Sequence, residues 1–124
     1  MSKPSSENAD GLFEPFTVDD VPEEQYTQGE RFGVRSKQLG EYGGAARVGV
    51  CMEVLEPGKQ NYPLHYHMLE EEHLLILEGR ATLRLGDRSF ALKPQSYVCF
   101  PAGQRAGHAS VSYTHLRAHE TEAY

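Results

Sequence analysis

Gly58-Lys-Gln-Asn-Tyr-Pro-Leu-His65-Tyr-His67-Met-Leu-Glu-Glu-Glu72-His-Leu-Leu-Ile-Leu-Glu-Gly79 is the stretch on which the reading of this chain turns. His65 and His67 stand two apart in a β-prone segment, so both imidazoles project from the same face of a strand. After the intervening Met68–Glu71, Glu72 follows a short turn and can close on the same point. Two imidazoles and a carboxylate with open coordination positions suit iron, manganese, nickel, copper or zinc. Such ions polarise substrate oxygens or acidify bound water. Three consecutive glutamates leave a choice of acid: Glu72 is preferred for its distance to Gly79, and Glu71 is the reserve. His73 has the opposite strand parity from Glu72 and is expected to face away from the ion as a packed or surface residue.

This spacing resembles the first signature of the cupin superfamily, small β-barrels that hold one divalent metal in the barrel mouth. The usual form has five residues between the glycine and the first histidine, and here there are six. The second cupin signature is answered more loosely by Gln95, Pro101, Gly103 and His108. Gln95 stands where a turn glycine would admit positive φ, and His108 arrives two residues late, which keeps it on the same strand face about 7 Å further along. The resemblance implies a jelly-roll barrel, a metal held by His65, His67, Glu72 and His108, and a small-molecule ligand. It also implies pairing of two copies in the full-length form.

Val111 to Thr121 resembles a translated sequencing adapter. On that reading residues 110–124 are a non-native tail without a strand period. The barrel then spans residues 13–109 and lacks its C-terminal strands, and residues 1–12, rich in Ser, Asn, Asp and Gly, form a disordered N-terminal tail. His115 and His119 are assigned no role.

With 124 residues the chain has material for one domain with a single modest core. A formal net charge of −6, or −5 without Arg117, Glu120 and Glu122 of the tail, argues against a nucleic-acid partner. The longest aliphatic run, Leu74–Leu77, is four residues, against roughly 20 for a membrane span. With no apolar leader at the N-terminus, a cytoplasmic site is expected. Cys51 and Cys99 lie among apolar neighbours and read as buried free thiols.

Further along, the pattern is of short strands. Ala45–Leu55 is β-prone and ends at Pro57-Gly58. Tyr62–His67 carries the histidine pair. Glu72–Glu78 is apolar on both faces at its centre and is expected to be buried on both sides. Ala81–Leu85 and Ser89–Leu92 form a hairpin around Gly86-Asp87, and Tyr97–Phe100 is a further strand. Val18–Glu24 suggests one helical turn, Gln25–Gln38 an outer strand and Glu41–Gly44 a loop. Phe13 and Phe16 are placed to pin the N-terminal segment, and Tyr62, Tyr66, Tyr97 and Phe100 to line a pocket around the ion. The class is therefore all-β, of cupin jelly-roll type.

Cupins carry out many reactions, so the fold does not name one. The leading expectation is a metal-dependent enzyme acting on a small polar molecule, of oxygenase or isomerase type. The alternative is a non-catalytic small-molecule binding or sensing module. No acid, base or nucleophile beside the ligands stands out.

Overall fold

The computed structural model describes residues 3–60, 71–102, 108–112 and 116–123, the last two stretches by backbone alone. The expected strand at 62–67, with His65, His67 and the pocket candidates Tyr62 and Tyr66, lies outside the described residues.

The N-terminal residues lie along the molecule's side. Ser6 N–H donates to the Tyr42 carbonyl at 2.9 Å, and the Asn8 carboxamide oxygen accepts from Asp10 and Leu12 N–H at 2.9 and 3.0 Å. Phe16 then meets the edge of Tyr42 at a centroid distance of 4.7 Å, and Phe13 crosses Gly44 so closely that a Cβ there would fall 2.7 Å from its ring. A 3-10 turn at Val18–Asp20 follows, with Asp20 accepting from Thr17 N–H at 2.9 Å.

The outer strand foreseen over 25–38 is a hairpin of two strands, β1 (Glu23–Gln28) and β2 (Phe32–Gln38), turning at Gly29 with φ +64°. One helical turn, α1 (Leu39–Tyr42), takes the place of the expected loop and leads to β3 (Val48–Leu55). From residue 71 run β4 (Glu71–Glu78), β5 (Ala81–Leu85), β6 (Arg88–Leu92) and β7 (Tyr97–Phe100), close to the boundaries read from alternation and turn residues. Gly79 and Gly86, at φ +84° and +63°, turn the chain between them. At the second-signature turn Gln95 itself adopts φ +72°, a value that favours glycine. Its N–H donates to the Ile76 carbonyl at 2.8 Å, which fastens the turn to β4.

Two corrections concern the C-terminus and closure. Strands are present in C-terminal residues expected to have none: β8 (His108–Ser112) pairs with β5, and β9 (Leu116–Ala123) lies between β3 and β4, antiparallel to both. An appended, strandless tail is therefore not supported. Nor do the sheets close into a jelly-roll barrel. They are open, one of six strands in the order β1-β2-β3-β9-β4-β7 and one of three in the order β6-β5-β8. Closure would require β1 or β7 to pair with β6 or β8, and no such ladder joins the described residues. β1 shows why: all six of its residues are exposed, with Glu23 and Glu24 among them, and a charged edge discourages further pairing.

A shared core holds the two sheets together. Val34, Leu55, Leu74, Ile76 and Phe100 of the large sheet pack with Ala81, Leu83 and Leu92 of the small one. β4 is buried on one face only, which corrects the expectation for 72–78: Glu72, Leu74 and Ile76 are buried, whereas Leu75 and Leu77 are half-exposed. The reason is its position, since the small sheet covers the inner face and no described element covers the outer one.

Candidate functional site

β4 sorts its residues by parity, and the two faces offer different chemistry. On the inner face Glu72 begins the row that continues into the core through Leu74 and Ile76. Glu72 is 4% exposed and stands opposite Phe100 in the β4–β7 register. Other buried polar side chains are Ser36, Glu53 and Gln60. Ser36 and Glu53 face each other across β2 and β3, Gln38 Nε2 donates to Ser36 Oγ at 3.2 Å, and the Cys51 thiol lies 4.0 Å from Glu53 Oε1. Burial of such groups is costly unless hydrogen bonds or opposite charge compensate, and it is the mark of an interior built to take polar company.

On the outer face Glu71 and His73 project together, and His73 stands directly opposite Cys99. His73 Nε2 is 3.0 Å from Glu71 Oε2 and 4.0 Å from Cys99 Sγ. Its Nδ1 hydrogen-bonds the Tyr97 hydroxyl. The ligand atoms of Glu71, His73 and Cys99 lie within 4.8 Å of one another, and among the described residues this is a group that can hold a metal ion. Burial, and next the charge of Glu71, push the Cys99 thiol above its ordinary pKa. Neither Cys51 nor Cys99 is in a disulfide, and both are half-buried, not fully enclosed.

Of the residues expected to ligate, Glu72 is buried on the core side. His108 begins β8, paired with Leu85, and only its backbone is described. His65 and His67 lie outside the described residues. His73 does face away from Glu72, yet it stands in a cluster and not alone. The sequence contained half of that signal: Glu71-x-His73 and Tyr97-x-Cys99 each put two donors on one strand face. What it did not contain is the register that sets His73 against Cys99. Tyr97 also departs from expectation, being 60% exposed on the outer face, while Phe100 belongs to the core.

Two β-sheets around a common core, one of them carrying the buried acid Glu72, define a small β-sandwich of the kind that cupins build. The family model described as Cupin domain matches residues 51–121, more than half of the chain. The chain belongs to the cupin family. It is similar to a structure from Silicibacter pomeroyi described as a sugar phosphate isomerase of the cupin superfamily, with 26% identity, a TM-score of 0.81 and coverage of 90% of this chain and 76% of that one. A putative sugar phosphate isomerase from Acidithiobacillus ferrooxidans has 22% identity and a TM-score of 0.79, over 89% of this chain and 74% of that one. A predicted oxalate decarboxylase from Thermotoga maritima has 18% identity and a TM-score of 0.73, over 86% and 96%. No curated protein matches at a significant level. Family membership together with the Glu71, His73 and Cys99 cluster supports a metal-binding cupin enzyme whose reaction is unassigned. No helix among the described residues is long and apolar enough to cross a membrane.

Proposed function

We propose that this cupin is a metal-dependent enzyme acting on a small polar molecule, of isomerase or oxygenase type, with one divalent transition metal held between the sheets by His65, His67, Glu72 and His108. The observation that carries the reading is the burial of Glu72 on the core face, near the N-terminal end of β4. A carboxylate in that position supplies a hard anionic donor inside a largely apolar shell, and the His-His-Glu-His set suits iron, manganese, nickel, copper or zinc. An ion bound there would supply polarisation of substrate oxygens. Ser36, Gln38 and Glu53 lie on the same inner face of the large sheet as Glu72, across β9 from it, and would meet hydroxyl or carbonyl groups of a hydrophilic substrate from there. The relative from Silicibacter pomeroyi, described as a sugar phosphate isomerase, puts phosphorylated sugars first among substrates to try. A homodimer and a cytoplasmic location belong to the same proposal. Support for pairing comes from the half-exposed Leu75 and Leu77 on the outer face of β4.

Elemental analysis and metal titration of the wild type, His65→Ala and Glu72→Ala test the assignment. Each substitution is expected to lower metal affinity by tenfold or more, a change of about 1.4 kcal/mol, without altering the far-UV spectrum. Undiminished binding in both variants removes the interior site. Turnover of sugar phosphates by the metal-loaded wild type, absent from both variants, establishes the enzyme.

A further inference from the structure

We propose that Glu71, His73 and Cys99 form a second metal site, of zinc type and containing a thiolate, on the outer face of the large sheet. It goes beyond the interior site proposed above and does not rest on it. The two cannot be one site. Glu71 and His73 alternate with Glu72 along β4, and Glu72 shares its face with the buried Leu74 and Ile76. An ion on the outer face is thus separated from the Glu72 carboxylate by the sheet itself.

The geometry is close to that of a tetrahedral site. Zinc bound to nitrogen and oxygen at about 2.0–2.1 Å and to sulfur at about 2.3 Å places nitrogen and oxygen roughly 3.3 Å apart and nitrogen and sulfur roughly 3.6 Å apart. Here His73 Nε2 lies 3.0 Å from Glu71 Oε2 and 4.0 Å from Cys99 Sγ. Side-chain shifts of a few tenths of an ångström at each donor reach the ideal. The imidazole is already held for the task. Tyr97 engages Nδ1, leaving Nε2 aimed at the carboxylate and the thiol. This is the arrangement by which the far nitrogen of a metal-bound histidine is commonly anchored.

Thiolate, imidazole and carboxylate together select zinc, cobalt or ferrous iron over magnesium and calcium, which prefer oxygen alone. On binding, Cys99 S–H gives its proton to solvent and sulfur donates to the metal, while His73 stays neutral with Nδ1–H donating to the Tyr97 oxygen. One proton leaves per ion. The Glu71 and His73 side chains are 48% and 30% exposed, so the ion enters from water and a water completes the fourth position. β7 pairs with β4 at the edge of the large sheet. An ion shared by His73 and Cys99 clamps that edge.

Cobalt titration of the full chain tests this, because only a cysteine ligand gives a thiolate-to-cobalt charge-transfer band. The band is expected in the wild type, in Cys51→Ser and in His65→Ala, and is expected to vanish in Cys99→Ser. Tyr97→Phe is expected to weaken cobalt binding at this site about tenfold. On the wild type alone, zinc is expected to slow alkylation of Cys99, located by peptide mapping, so the proposal stays testable even if Cys99→Ser does not fold. A wild type without the band, or a band that survives in Cys99→Ser, overturns it. Retention of the band in His65→Ala and Glu72→Ala while interior binding is lost separates this site from the other.

Discussion

Replacing Ile76 and Leu75 by alanine, one at a time, tests the parity of β4 on which both metal sites depend. Ile76 is 1% exposed and belongs to the core with Leu74, Leu83 and Phe100. Alanine removes three carbons, worth about 2.4 kcal/mol at about 0.8 kcal/mol each. A cavity that the neighbours only partly fill adds up to about 2 kcal/mol. The expected cost is therefore about 2.5–4 kcal/mol, a fall in Tm of roughly 10–20 °C for a domain of this size. Leu75 is half-exposed on the other face, and its truncation is expected to cost about 1 kcal/mol. Urea titration followed by far-UV circular dichroism, with equal m-values for the two variants, reads both numbers. If Leu75→Ala costs as much as Ile76→Ala or more, the faces of β4 are exchanged. Glu72 then points to solvent, and the interior site loses its carboxylate while Glu71 and His73 turn inward.

Gln95→Gly is expected to stabilise the protein. Relief of the left-handed conformation, about 1–2 kcal/mol, exceeds the added chain entropy of glycine, about 0.5–1 kcal/mol; an unchanged or lower urea midpoint contradicts the φ of +72° at this residue. A chain ending at Ser112 is expected to lose cooperative unfolding and its near-UV circular dichroism, since β3 and β4 are neighbours through β9. A shortened chain with the full-length midpoint would mean that residues 116–123 are an appendage after all.

Much of the strand order is readable locally. β3, β5, β6 and β7 announce themselves through alternation and through Pro57-Gly58, Gly79 and Gly86-Asp87, because a period of two and a positive φ are properties of a few consecutive residues. The need for an unusual backbone at residue 95 is equally local, and there Gln95 takes the conformation of the glycine it replaces. By contrast, Leu116–Ala123 is polar and lacks a strand period, yet it pairs on both sides. Its β conformation comes from two neighbours that supply hydrogen bonds, a tertiary cause that no window of sequence contains.

What the amino-acid order determined by itself is family, strand parity and the chemistry of the candidate ligands, including the opposition of Glu72 to His73, since alternation is set by backbone geometry. Only the tertiary structure decided that the sheets stay open, that Glu72 is enclosed, and that Cys99 comes to rest across from His73. Those outcomes depend on which strands pair and in what register, and pairing joins residues far apart in the chain through contacts that neither partner specifies alone.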